Sequence, residues 1–267
     1  MNNDIYDDIP LTEDEKDNEK INEFIAMVKN SNLFTIFIEG SDDVVFYEPL
    51  EALCEEAPKT IDITPVGGRK IALGIFNGLK DTQYINKVVF IVDMDTWVYL
   101  GKPAEYLHER LISTFGYSIE NDIYIDFDFC QFMKSLRVYG DFIGNLENYL
   151  DWYVIAIKRV LEDTVISGDT LDIHPKDFFD NNRKENLTIL RASEEVDTEL
   201  LNSLKLNFKQ TLRGKNLLNL ALYVVNKKPN SSRYTNKSIA QLAVHNKRGP
   251  NLNRIFENAK DFAMQGF

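Results

Sequence analysis

Two short apolar runs that end on acids constrain the possible folds of this chain more than any other feature. Thr35-Ile36-Phe37-Ile38 stops on Glu39-Gly40, and Val88-Val89-Phe90-Ile91-Val92 stops on Asp93-Met94-Asp95. Runs of this length, rich in β-branched and aromatic residues, are predicted as buried strands. An acid placed where such a strand leaves the core is poorly solvated, and it costs free energy unless a cation or a hydrogen-bond donor meets it. The pattern therefore predicts a group opposite Glu39.

The remaining patterning alternates helix with strand. Ile21, Phe24, Ile25 and Val28 fall at helical spacing, and Leu33 to Ile38 is predicted as the first strand. Val44, Val45, Tyr47, Leu50 and Leu53 predict a helix, with Asp42 or Asp43 in its first turn to complement the dipole. Ile61 to Val66 is a second short apolar run, followed by Gly67-Gly68 and a helical pattern to Leu79; after the strand at Val88–Val92, Ile123-Tyr124-Ile125 is the expected fourth strand. This order predicts an α/β fold with a mostly parallel sheet, whose ligand site lies at the carboxyl ends of the strands. From about Gly144 the pattern turns helix-rich, with one helix over Leu200 to Val225 that Gly214 interrupts, a loop at Pro229–Ser232 and a last helix from Leu252 to Met264. The expected organisation is an acidic flexible arm at 1–20, an α/β domain at 21–143 and a helix-rich region at 144–267.

With 267 residues, of which 44% are hydrophobic and 12% aromatic, the chain has the composition of a folded globular protein. No apolar run is long enough to span a bilayer, and the first residues are acidic where a signal peptide would be basic and then apolar, so a cytoplasmic protein is expected. Cys54 and Cys130 have no CxxC partner and are expected to be core thiols. The net charge of -12 hides an asymmetry: residues 1–200 carry 40 acids against 18 Lys and Arg, whereas residues 201–256 carry no acid and 11 Lys and Arg. That segment predicts either a face for phosphates or a counter-charge to the acidic part, within the fold or between subunits. On the first reading, Lys209, Arg213, Lys215, Lys227, Lys228, Arg233, Lys247 and Arg248 are the candidate nucleic-acid-binding residues, with Tyr223 and Tyr234 available to stack on bases.

Two carboxylates two residues apart at a strand end can turn toward one cation, and a third from a neighbouring strand would complete an oxygen-rich site suited to Mg²⁺ or Mn²⁺. His108, His174 and His245 are scattered and read as surface or capping residues. The order of these motifs, with Glu39-Gly40 at one strand end and Asp93-Met94-Asp95 about 50 residues later, resembles the Toprim domain of topoisomerases, primases and OLD-family nucleases. More closely, EGSDDVVFY, VGGRK, VDMDTW and GYSIEND resemble the Toprim-like defence effectors found beside ABC-type ATPases, such as the AriB-type effectors of the PARIS anti-phage system. The resemblance covers roughly residues 33–126. It implies that Glu39 is the general acid/base or a metal-facing carboxylate, and that Asp43 is the acid of the EGxxD pattern. Asp93 and Asp95 would hold metal, Glu120 would be a further ligand with Glu147 as its alternative, and Lys70 would approach a phosphate.

Metal-assisted hydrolysis of a phosphodiester is the reaction that such a site would support. The expected function is a Mg²⁺- or Mn²⁺-dependent nuclease, a toxic defence effector controlled by a partner ATPase. The resemblance favours RNA such as tRNA as substrate, although the residues themselves do not choose between RNA and DNA. A homo-oligomer is compatible with this reading. The alternatives are an OLD-type nuclease acting on DNA and a non-catalytic Toprim-like module that docks or oligomerises.

Overall fold

Phe34–Ile38 and Val88–Val92 are buried along their whole length, and they lie side by side at the centre of one sheet. The computed structural model describes residues 12–167, 169–180, 184–227, 233–246 and 248–267. The sheet contains β1 (Phe34–Ile38), β2 (Ile61–Pro65), β3 (Val88–Val92) and β4 (Leu111–Ser113), all parallel, in the order β2-β1-β3-β4. Ile36 stands opposite Ile63 on one side and Val89 on the other, and Ile91 opposite Ile112. The α/β class and the parallel sheet expected from the sequence are therefore what the chain adopts.

Alternation along the strands divides the core in two. Ile36, Ile38, Val89, Ile91 and Ile112 face one cluster, while Phe37, Val88, Phe90, Val92 and Leu111 face the other. Each such side chain contributes about 1.5–3 kcal/mol by leaving water. A sheet apolar on both faces must be covered on both, and two sets of helices do this. Around the sheet, α1 (Glu13–Asn30) and α4 (Arg69–Leu79) close the second face through Phe24, Ile75 and Phe76, with Trp97 of the short α5 (Trp97–Leu100) beside them, while the short α2 (Val44–Tyr47) and α3 (Pro49–Leu53) pack in the first cluster. The first face is covered by the later helices: α6 (Ile119–Asp126), α7 (Phe129–Ser135), α8 (Tyr139–Leu161), α9 (Pro175–Asp180), α10 (Lys184–Leu187), α11 (Thr198–Thr211), α12 (Gly214–Asn226), α13 (Asn236–Asn246) and α14 (Pro250–Gln265).

Two expectations differ from the structure, and a third is sharpened by it. The first concerns the arm: residues 13–20 are the first half of α1, where Thr12 and Glu15 form a reciprocal capping box and Glu13, Asp14 and Glu15 complement the helix dipole. Residues 1–11 of that arm lie outside the described residues, as does the whole loop expected at Pro229–Ser232. The second concerns Ile123-Tyr124-Ile125, which belongs to α6 and is not a strand. Ser118 stops the preceding chain in an extended conformation, its N–H donates to Asn121 Oδ1 at 2.9 Å, and this cap starts a helix that three apolar residues cannot override. The fourth strand is the three-residue Leu111–Ser113, too short to show as periodicity.

The third is Gly214, where the expected break in the helix falls: α11 ends at Thr211 and Gly214 begins α12. A Cβ there would sit 2.2 Å from Ser118 Oγ, 2.5 Å from Asn121 Oδ1 and 3.1 Å from the Asn121 N. Asn121 is fully buried, and its Nδ2 donates to the Lys209 and Leu212 carbonyls at 2.8 and 2.9 Å, tying α6 to the end of α11. The outer edge of the sheet is also occupied: Lys102 Nζ donates to the Leu111 carbonyl at 2.8 Å and Arg254 Nη2 to the Ser113 carbonyl at 2.6 Å. Because the atoms around Gly214 are held from several sides, Gly214→Ala should destabilise the protein by about 1–3 kcal/mol. Urea denaturation of the two proteins measures this, and equal midpoints would show that α6 and α12 can move apart freely.

Candidate functional site

The connection leaving β1 runs to β2 on one side, and β3 lies on the other, so the carboxyl ends of β1 and β3 form the crevice at which strand order reverses. Glu39 leaves the first of these ends and Asp93 the second. The Asp93 N–H donates to Glu39 Oε1 at 2.9 Å, which supplies the group expected opposite Glu39. The loop after β2 turns through Gly67 and Gly68, both at positive φ, and their N–H groups donate to the Glu39 carbonyl at 2.9 and 2.8 Å. That conformation is open to glycine and strained for other residues, so the glycine pair is what holds Glu39 from behind.

The other acids arrive from three elements. Asp43, in a 3₁₀ turn ahead of α2, accepts the Gly40 N–H at 2.9 Å. Asp93 Oδ1 accepts from the Ile119 N–H at 3.1 Å, at the start of α6, and Glu120, the next residue, accepts from Ser118 Oγ. Asp95 has φ +46, a left-handed conformation tolerated by Asp, with its N–H donating to the Tyr117 carbonyl at 2.7 Å. Its Oδ2 is paired with Arg69 Nη1 at 2.8 Å. Glu39, Asp43, Asp93, Asp95 and Glu120 all line one cavity of about 460 Å³, together with Ser41, Gly67 and Gly68, Tyr117, Ser118, Arg213 and Lys215.

Burial dominates the electrostatics of this cavity. It raises the Glu39 carboxyl to about 7, with the Asp95 charge adding to the rise and the Asp93 N–H opposing it. Burial likewise raises Asp43 to about 6, and it raises Asp93 well above the ordinary range, with Glu39 as the next cause. The donor set is all oxygen, which suits a hard divalent cation. Each of the five carboxylates already gives an oxygen to a protein donor, and among the described residues no group of three or more His, Cys, Asp and Glu side chains is arranged to hold a metal ion.

The structure separates the other residues expected at the site. Glu147 is exposed on α8, so of the two alternatives only Glu120 faces the cavity. Lys70 is turned away from it and pairs with Asp14 at 2.6 Å and Asp17 at 2.9 Å on α1. Its neighbour Arg69 takes the inward position, with its guanidinium 3.7 Å from the Trp97 ring and bonded to Asp95. Arg69 is not among the expected site residues, although a cation directly after the glycine pair is an available signal. Tyr117, Ser118 and Ser41 carried no signal of their own.

The eight basic candidates do not form one group. Arg213 and Lys215 line the carboxylate cavity, where Lys215 lies 3.8 Å from Asp42 and Arg213 pairs with Asp172 at 2.8 Å. Lys227 and Arg233 line a different cavity, Arg248 covers the Phe256 ring at 4.6 Å, and Lys209 is exposed on α11. Lys228 and Lys247 lie outside the described residues. Tyr223 is not free to stack on a base, because its ring is stacked on Phe179 at 5.5 Å and covered by Lys227 at 3.8 Å; Tyr234 packs edge-on to Phe132 at 5.5 Å. His108 and His174 each accept a backbone N–H two residues on, and Cys54 and Cys130 are buried and free.

Because the folded-state pKa of Glu39 lies above its unfolded value of 4.5, the folded protein holds the proton more tightly, and stability falls as pH rises from about 4.5 through 7. Glu39→Gln keeps the Oε1 acceptor and removes the charge. It should be more stable than the wild type at pH 8, by up to about 3 kcal/mol, and equal to it near pH 4. Urea denaturation at the two pH values measures this, and a variant less stable at pH 8 would show that the Glu39 charge is already compensated.

No protein-family model matches this chain, and no curated protein is significantly similar to it.

Proposed function

We propose that the chain is a metal-dependent nuclease of the Toprim type. The observation that carries this reading is the placement of Glu39 and Asp93 side by side at the switch point, in one cavity with Asp43, Asp95, Glu120 and two cations, Arg213 and Lys215. Five carboxylates around one crevice repel one another and any phosphate, so an anionic substrate needs a counter-charge there. A bound Mg²⁺ or Mn²⁺, held by Asp93, Asp95 and Glu120 with Glu39, would neutralise those charges and stabilise charge developing on a phosphate. Arg213 and Lys215 approach from the opposite, basic part of the chain and are suited to grip the phosphate oxygens. Glu39, held by the Asp93 N–H beside those ligands, would take a proton from an attacking water and return it to the leaving oxygen. Arg69, fixed over Trp97, holds the Asp95 carboxylate in position.

The motif resemblance favours RNA, and tRNA in particular, as substrate, and an ABC-type ATPase as the partner that restrains or triggers a toxic activity in anti-phage defence. No helix among the described residues is long and apolar enough to cross a membrane. One observation supports a second reading, a non-catalytic module that docks on a partner or on its own copies: each of the five carboxylates already accepts from a donor of the protein itself.

Cleavage of tRNA, single-stranded RNA and duplex DNA with Mg²⁺ or Mn²⁺ separates the two. The nuclease reading expects cleavage that chelation abolishes and that Asp93→Asn lowers by about two to four orders of magnitude. Silence on every substrate, with a partner binding equally to wild type and Asp93→Asn, would establish the docking module. The positions of the lysines add a sharper expectation: Lys215→Ala should weaken cleavage about ten- to a hundredfold, the loss of one charge-assisted contact, whereas Lys70→Ala should leave it unchanged. Equal losses would place the substrate across α1 as well.

A further inference from the structure

α12 joins two cavities. Lys215 near its start lines the carboxylate cavity, and Asn219, Tyr223 and Lys227 farther along line another, of about 630 Å³, which has no lining residue in common with the first. The far cavity is walled by α9 and α13, both packed on α12. Four Lys and Arg line it, Lys176, Lys227, Arg233 and Lys237, against one acid among the described residues, Asp180. In a chain of net charge -12 such a lining is the exception, and its field acts locally at physiological salt.

The fold holds these cations in place and leaves most of them without a counter-charge. Asn226 clamps the backbone beside Arg233: its Nδ2 donates to the Tyr234 carbonyl at 2.8 Å, and its Oδ1 accepts the Tyr234 N–H at 2.9 Å. The Lys176 N–H donates to His174 Nδ1 at 3.1 Å at the start of α9, and Thr235 and Ser238 exchange side-chain to backbone bonds that start α13, with Lys237 in its first turn. The acid is already taken, because Asp180 Oδ1 accepts from Tyr223 Oη at 2.8 Å and lies 3.5 Å from Lys227 Nζ. Lys176, Arg233 and Lys237 pair with no acid among the described residues. Asn219 Oδ1 accepts from Asn236 Nδ2 at 2.8 Å, and its own Nδ2 has no acceptor among the described residues. Three unpaired cations and an amide donor around one cavity suit a multiply charged anion, and Arg and Lys together are the usual grip on phosphate. The tyrosines of the lining are engaged with Phe179 and Phe132, so charge and not a stacked ring holds the ligand.

We infer that this cavity is a phosphate-binding site separate from the carboxylate cavity, which holds a multiply charged phosphate ligand through Lys176, Arg233, Lys237 and the Asn219 amide. Two sources present that chemistry, the backbone of a nucleic-acid strand and a free polyphosphate. Lys215 and Lys227 lie about 18 Å apart along the axis of α12, so a single strand of a few nucleotides is long enough to reach both cavities. The site binds whether or not the carboxylate cavity cleaves, and the inference does not need the nuclease reading.

The experiment measures binding to the whole chain in EDTA over a range of salt, in two arms: fluorescence anisotropy of a labelled single-stranded oligonucleotide, and calorimetric titration of pyrophosphate. At least one of the two should bind, and the combined variant Lys176→Ala, Arg233→Ala, Lys237→Ala should weaken it about tenfold or more. For the strand, the dependence of log K on log salt should also lose about 2 units of slope, the share of three phosphate contacts. Each single variant should remove about a third of that slope, which keeps the test decisive if melting temperatures show the combined variant to be unfolded. Lys70→Ala, which removes an exposed charge paired on α1, is the control and should change neither arm. Strand affinity lost in the combined variant assigns the site to a nucleic-acid backbone, whereas pyrophosphate affinity lost with strand binding intact assigns it to a free polyphosphate. Absence of binding by both ligands, binding that the variants leave unchanged, or an equal loss in Lys70→Ala would overturn the site. Because cleavage is not the readout, failure of this site and failure of the nuclease reading are separate results.

Discussion

The hydrogen bond from the Asp93 N–H to Glu39 Oε1 requires β1 and β3 to be adjacent, parallel and in the register observed, because only then do their carboxyl ends open into the same crevice. The rest of the site follows from it. The glycine turn after β2 must reach the Glu39 carbonyl, and α6 must begin where Asp93 Oδ1 can receive its N–H. Burial then raises the carboxyls of Glu39, Asp43 and Asp93 together. Such a cluster opposes folding above neutral pH and persists only where the surrounding structure over-determines it.

The chain's charge asymmetry finds its resolution here. The acid-free segment 201–256 returns to the acid-rich α/β part at the junction of α11 and α12, where Asn121 anchors the turn and Arg213 and Lys215 enter the acidic cavity. Of the two alternatives posed by the composition, the internal counter-charge is visible at Arg213 and Lys227, which pair with Asp172 and Asp180. Lys227 is occupied with Tyr223 and Asp180, whereas Lys215 has only a distant acid and remains available to a ligand.

Much of this was readable before any coordinates. Strands buried on both faces leave uninterrupted apolar runs, and acids at their ends stand out against them, so Glu39, Asp93 and Asp95 were found directly. Where the reading failed, a tertiary contact outweighed a local pattern. Ile123-Tyr124-Ile125 has strand composition, yet the cap at Ser118 and the tether at Asn121 make it helix. β4 is recognisable only through its partner β3. Lys70 and Arg69 are neighbours in sequence, and which of them faces inward depends on Trp97 and Asp95 on one side and on Asp14 and Asp17 on the other.

The margins of the sheet bear on how this protein meets other molecules. At β4 the outward carbonyls of Leu111 and Ser113 are taken by Lys102 and Arg254; at the opposite margin β2 carries Asp62 and ends on Pro65, which has no N–H to offer. The β4 margin is therefore closed to an added strand, whereas at β2 the proline removes one outward donor and shortens the ladder that an extended peptide could pair with.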